Sequence, residues 1–195
     1  MVNYNAEFLD RDELESFQFK DLGKDVLIHR SVVLVRCEAI SLGDHVRIDP
    51  FCVLSSGEAI TLERNVHIAS HCTLSGSAAI RLGAFSGLSQ GVRIFSASDD
   101  YSGQSMTNPT VPQQFRNVKK APVIVGRHAI IGSGCVILPG SIIEEGAAVG
   151  AQALVKGRLS SWTIYGGVPA RSLRRRSEAI LEFEARYLAQ LQSKT

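Results

Sequence analysis

The 195-residue chain has no apolar run long enough to cross a bilayer, no CxxC pair and almost no excess of either charge. Its 21 basic and 19 acidic side chains leave a net charge of +2. That balance makes no electrostatic case for nucleic acid or for insertion into an anionic membrane. The opening stretch MVNYNAEFLDRDELES is acidic and polar, with no basic segment leading into an apolar one. No secretory signal is expected, and the expected location is cytoplasmic. The four cysteines, Cys37, Cys52, Cys72 and Cys135, read as reduced thiols, three of them packed inward. What the chain does have is apolar residues, 45% of it, enough for the core of one soluble domain over residues 1–195.

Those apolar residues recur with a fixed step. Leu22, Leu42, Leu62 and Leu82 lie 20 apart, as do Ile28, Ile48, Ile68 and Leu88, and then Leu34, Leu54, Leu74 and Ile94. Each block holds three units of six and two extra residues, as in SGEAI and SGSAAI. From Val125 the step of six runs unbroken through Ile131, Ile137, Ile143, Val149 and Val155. A small or branched residue (Ala129, Cys135, Ser141, Ala147, Ala153) follows four places after a leader. A helix wants apolar positions three and four apart, and an alternating strand wants every second one. Six residues instead make one side of a triangular coil, and leaders stack above leaders from coil to coil. The expected fold is all-β, a parallel β-helix.

The repeat leaves two ends and one interruption. Residues 1–21 form an expected helical cap, in which Asp10 and Glu13 make a capping box and Leu9 with Leu14 a hydrophobic staple. Residues 22–170 form the β-helix, and 171–195 a helical end. There Ile180, Phe183, Tyr187, Leu188 and Leu191, within Ser177 to Ser193, form an apolar stripe expected to cover the last coil. Between Ile94 and Val123 the step fails, and residues 96–121 read as an inserted, projecting loop. Tyr101, Met106, Val111 and Phe115 give that loop apolar content that calls for cover, such as a neighbouring subunit.

The leaders, the loop and the closing Gly166-Gly167-Val168-Pro169-Ala170-Arg171 together resemble the hexapeptide-repeat acyltransferases, whose coils wind left-handed. The stretches FLDRDELESFQFKDLGKDVLIHRSV and SASDDYSGQSMTNPTVP are similar to nucleotide-sugar acyltransferases of surface-glycan synthesis. The resemblance implies transfer of an acetyl or other short acyl group from acyl-coenzyme A to the amino group of a dTDP- or UDP-linked deoxysugar. It implies a homotrimer with its active sites in grooves between subunits, and no metal. O-acetylation of a sugar hydroxyl is the alternative that the same likeness leaves open.

Aligned by repeat, the backbone N–H of Ser133 matches the family's oxyanion donor. Ala151 and Lys156 match positions along the pantetheine and nucleotide, and Arg171 a cation beside the coenzyme's phosphates. His71, Ser89, Tyr101 and Asn108 are candidate substrate contacts. Thioester aminolysis passes through a tetrahedral oxyanion, where one fixed donor contributes roughly 3–4 kcal/mol. The related O-acetyltransferases place a histidine at the start of the loop, as base for a hydroxyl. Here that stretch reads Ser96-Ala97-Ser98-Asp99-Asp100. A carboxylate of reference pKa about 3.9 is a poor base for an alcohol but can collect a proton from an amine. Asp99 and Asp100 are therefore the candidate catalytic acids, and an amino sugar the favoured acceptor. Turn chemistry is the plain alternative for both.

All five histidines, His29, His45, His67, His71 and His128, fall off the leader rows and are expected to face outward. A γ-class carbonic anhydrase shares this fold and needs three histidines on zinc. His67 and His71 lie four apart, but no third histidine has suitable spacing. A scaffold without catalysis is the other rival, and it gives no reason for the polar loop or the basic end.

Overall fold

The computed structural model describes residues 7–192, with side chains to residue 191. Residues 1–6 of the expected N-terminal cap, and Ser193 to Thr195 of the expected C-terminal helix, lie outside the described residues. Three sheets of seven, eight and six strands, parallel except for the last strand of the second, form the sides of a triangular solenoid of seven coils. The leaders stack in register: Leu42 on Leu62, Leu62 on Leu82, and Leu82 on Val125 across the loop. Ile68, Leu74, Ile94, Ile131 and Ile137 are fully buried along the axis. Leu22, Val32 and Leu34 are only partly buried, since the first coil has a neighbour on one side alone. The two extra residues of the long coils give the leading strand a second inward residue, Ile40, Ile60 or Ile80.

The coils shorten along the chain. They take 20 residues as far as Leu82, then 18 from Val125 to Ile143, then 16 from Ile143 to Leu159. The step of six therefore ends at Val155. Gly157, at φ 88°, turns the corner early, and Leu159 becomes the next leader. Three residues past a leader the backbone enters the left-handed region: φ is 57° at His45, Asn65 and His128 and 59° at Phe85. Asn, Asp and His tolerate this conformation better than most side chains. Gly146 takes the same corner in the sixth coil for a different reason. A Cβ there would lie 2.3 Å from the Trp162 ring stacked over it.

Cys52, Cys72 and Cys135 are buried free thiols, and Cys37 is partly buried. Each buried one donates to a carbonyl of the next coil, Ala69, Ser89 and Gly150 respectively. The neighbouring Cys52 and burial push the Cys72 thiol up.

Helix α1 (Arg11–Ser16) carries both halves of the expected capping box, and Leu14 with Leu9 joins the core. Helix α2 (Ile180–Gln192) departs from expectation. It does not cover the last coil; it runs back along one edge of the solenoid. Tyr187 reaches Asn65 of the third coil and meets Phe85 of the fourth edge-on at 6.1 Å. Glu184, within the supposed apolar stripe's span, is buried against the fifth coil, whereas Phe183 is exposed. Nor is all of 171–195 helical: Arg171–Arg175 is a strand, antiparallel to Thr163–Gly166.

Candidate functional site

Five of the ten residues singled out in the sequence line one edge of the prism, where the eight-stranded sheet meets the six-stranded one. His71 sits there in the third coil, Ser89 in the fourth, Ser133 in the fifth and Ala151 in the sixth. Arg171 follows beyond the seventh, in register with Gly166. At a strand spacing of about 4.8 Å, Ser133 and Arg171 are separated by roughly 14 Å along the edge. Lys156, exposed, follows the last strand of the six-stranded sheet.

The corner turn frees backbone donors on this edge. The flanking amides of Gly132 and Gly134 are bonded to Val149 and Gln90, whereas the Ser133 N–H has no acceptor among the described residues. The Ser133 hydroxyl donates to Gln90 Oε1 at 3.4 Å. Beside Ser89, a groove of about 170 Å³ opens where Gly87 lacks a side chain, between His67 and Ile130. His71 is exposed and stacks on Phe51 at 5.1 Å.

The loop leaves the solenoid from the far end of strand Arg93–Phe95, one sheet's width from that edge. Its neck is a short antiparallel ladder, Ala97 opposite Lys120 and Ser98 opposite Lys119. The two aspartates that follow part company. Asp100 is buried, and both its oxygens are taken: Oδ1 by the Ser102 N–H at 2.8 Å, Oδ2 by the Ser105 hydroxyl at 2.9 Å. The Ser102 and Ser105 hydrogen bonds, with Lys119 nearby, pull its carboxyl down to about 2. Asp99 accepts only one long bond, from the Asn108 N–H at 3.4 Å. It lines a cleft of about 440 Å³ together with Ser77, Gln113, Arg116, Asn117 and Lys120. Asp100 is thus tied into the loop's turn through both oxygens, whereas Asp99 faces the cleft.

Asn108 takes a left-handed turn at φ 66° and accepts from Thr110. Tyr101 is 95% exposed, and Met106 and Phe115 are more than half exposed. Within one chain, then, Asp99 and Ser89 line separate clefts, and Tyr101, Met106 and Phe115 lack cover from the described residues.

Two histidines depart from expectation. His29 is buried, against Phe8 and the Ser31 hydroxyl. His128 is buried under helix α2, stacked on Phe85 at 5.3 Å, with its Nε2 2.8 Å from Glu184 Oε2. Burial pushes the Glu184 carboxyl up, but the His128 and Arg127 hydrogen bonds outweigh it and leave a net downward shift. Both histidines fall off the leader rows as read, yet terminal segments cover the corners they occupy. Arg176 is likewise no free cation: it donates to the carbonyls of His128 and Gly146. His67 is held by Asp49 at 2.9 Å, and among the described residues no three His, Cys, Asp or Glu side chains gather as metal ligands. Arg116 and Lys120 went unnoticed in the sequence, although RNVKK stands out as the one basic cluster of a polar loop.

No family model matches the chain. It is 37% identical, over 179 residues, to dTDP-4-amino-4,6-dideoxy-D-glucose acyltransferase of Escherichia coli, covering 91% of this chain and 93% of the relative. The crystal structure of AntD, an N-acyltransferase from Bacillus cereus in complex with dTDP and 3-hydroxybutyryl-CoA, superposes with a TM-score of 0.92 at 38% identity, over 95% of this chain and 98% of that one. A serine variant of AntD, bound to dTDP-4-amino-4,6-dideoxyglucose and coenzyme A, also gives 0.92 at 38% identity, over 96% and 100%. A further AntD variant, with dTDP and coenzyme A, alters an aspartate ten residues after that serine. In the present chain Ser89 and Asp99 are the only serine and aspartate ten residues apart in that order.

Proposed function

Because this chain belongs to the dTDP-amino-sugar N-acyltransferases, with their left-handed β-helix, we propose that it acylates the 4-amino group of a dTDP-linked 4-amino-4,6-dideoxyhexose. Its class is that of an acyl-CoA-dependent acyltransferase, with coenzyme A as the carrier of the acyl group. One observation carries the assignment of roles: of the two loop aspartates, Asp99 alone keeps its carboxylate open to a cleft. The Ser89–Asp99 spacing supports the same choice.

In the reaction, Ser133 N–H holds the thioester oxygen as the sugar nitrogen attacks the carbonyl carbon. The new C–N bond forms, and negative charge collects on the oxygen, where a fixed donor contributes roughly 3–4 kcal/mol. Asp99 takes the proton that the nitrogen sheds. The C–S bond then breaks, and coenzyme A leaves as the thiol once its sulfur regains a proton. Ser89 borders the acceptor. Ala151, Lys156 and Arg171 mark the coenzyme's path, and the spacing of roughly 14 Å from Ser133 to Arg171 suits an extended pantetheine arm. Tyr101 and Asn108 carry the outer loop against the sugar nucleotide.

This arrangement needs more than one chain. A homotrimer, in which the loop of one subunit closes over the edge of the next, would bring Asp99 to Ser133 and cover Tyr101, Met106 and Phe115. The same reading takes the chain as one folding unit acting in the cytoplasm, in surface-glycan synthesis. The test follows thiol release from a panel of short acyl-CoAs with dTDP- and UDP-linked amino sugars. Turnover with the dTDP-4-amino sugar supports the reading. Equal turnover with the matching dTDP-sugar that carries a hydroxyl in place of the 4-amino group would replace it by O-acylation.

A further inference from the structure

Asp99 shares its cleft with two cations, Arg116 and Lys120, neither in salt-bridge contact with it. Most of the arginines around the coils are ion-paired, as Arg81 is to Glu63 and Arg158 to Glu144. Arg116 and Lys120 form no ion pair among the described residues, and the buried Nε of Arg116 lacks any hydrogen-bond partner. Two cations against the single Asp99 carboxylate leave the cleft with net positive charge, which a bound anion would offset.

The ladder at the loop's neck explains why these side chains meet. Ala97 lies opposite Lys120, and Ser98 opposite Lys119. Successive residues of a strand point to opposite faces. Continued by one residue, the ladder places Asp99 opposite Val118, on the face of Ala97 and Lys120. Asp100 falls on the other face with Lys119, whose charge acts on it. The cleft takes Asp99, Val118 and Lys120 from that face together with Ser98 and Asn117 from the other, while Asp100 and Lys119 do not line it.

We infer that Arg116 and Lys120 hold the diphosphate of the nucleotide sugar, on the same cleft in which Asp99 meets its amine. In a 4-amino hexose linked through its anomeric oxygen, the amine and the β-phosphate stand at opposite ends of one ring. A carboxylate for the first and cations for the second must therefore line one cleft, as Asp99, Arg116 and Lys120 do. The guanidinium of Arg116 offers a planar fork to phosphate oxygens, and Lys120 a point charge. The pair would set the acceptor in register with Asp99 and select for sugars that carry a diphosphate. This rests on the reading of the chain as a nucleotide-sugar N-acyltransferase.

The experiment is calorimetric titration of the full-length protein with dTDP, thymidine and coenzyme A, for wild type, Arg116→Gln and Lys120→Gln. Each variant should weaken dTDP binding about tenfold, the loss of one charge-assisted contact. Thymidine and coenzyme A should bind all three proteins alike, and in turnover the KM for the sugar nucleotide should rise with little change in kcat. If wild type binds dTDP and both variants bind it equally well, the inference is overturned while the N-acyltransferase reading stands. Weakening of coenzyme A or thymidine to the same degree as dTDP would also overturn it, because the effect would then not belong to the phosphates. Failure of the wild type to bind dTDP would sink the underlying reading and the inference together.

Discussion

Exchanging Asp99 and Asp100 singly for Asn removes a charge from each while keeping the size of the side chain. Asp99 holds the loop only through the 3.4 Å bond from Asn108 N–H, which an amide oxygen still accepts. Asp99→Asn should therefore fold and assemble like the parent. If its carboxylate collects the amine's proton, kcat should fall by roughly 10²–10⁴-fold, or about 3–5 kcal/mol at 1.36 kcal/mol per decade. Asp100→Asn meets a different environment. Its oxygen can still take the Ser102 N–H, but its amide nitrogen faces the Ser105 hydroxyl where an acceptor stood. The loop should loosen while kcat stays close to the parent's. The pH signatures differ as well. The Asp100 carboxyl is pulled down to about 2. Its support for the loop is thus in full force above the ordinary carboxylate range and fades as pH drops toward 2. Asp100→Asn should lack that acid-dependent part. Thiol release at saturating acyl-CoA and dTDP-amino sugar, read beside thermal melting, separates the two. Equal loss of kcat in both variants with unchanged melting would refute the division of labour, and so would a fully active Asp99→Asn.

Light scattering should report a trimer; a monomer that turns over normally would remove the shared-edge site. Ile68 is fully buried between Ile48 and Leu88. Ile68→Asp should cost several kcal/mol, lowering Tm by at least about 6 °C at roughly 2–4 °C per kcal/mol, and an unchanged melt would mean that position 68 does not face the core. Lys156→Ala and Arg171→Ala should raise the KM for acyl-CoA with little effect on kcat; unaltered KM in both would take them off the coenzyme's path. The Glu184 carboxyl, pushed up by burial but drawn down further by His128 and Arg127, steadies helix α2 above the ordinary Glu range and loses that role as pH falls. Protection of the α2 amides, corrected for the intrinsic exchange rate, should fall on acidification in the wild type and not in Glu184→Gln; identical profiles would show that the pair does not hold the helix.

How much of this was legible in the sequence follows from what periodicity can carry. A step of six reports which side chains turn inward, so the leaders, the packed cysteines and the interrupting loop could all be read from it. The capping box was legible because its two residues are local and chemically specific. The resting place of helix α2 was not. Its stripe shows that it needs a partner, but the partner corner, Asn65 to His128, lies some 60 to 120 residues away in the chain. The burial of His128 and Glu184 follows from that same docking. The end of the step of six after Val155, with Leu159 as the next leader, hangs on a single glycine corner. Asp99 and Asp100 are alike as letters. They became different once the two-residue ladder set them on opposite faces, a ladder too short and too polar to leave a period-two signal.

The antiparallel strand Arg171–Arg175 bears on how a solenoid stays finite. Stacked parallel coils offer, at each end, backbone groups that another copy could extend, and open edges of this kind invite polymerisation. Here the chain doubles back on the last coil of the eight-stranded sheet, so a further parallel strand would meet one running the wrong way. Arg171, Arg174 and Arg175 on that edge are exposed. The reversed strand thus closes this end of the sheet to a further parallel coil.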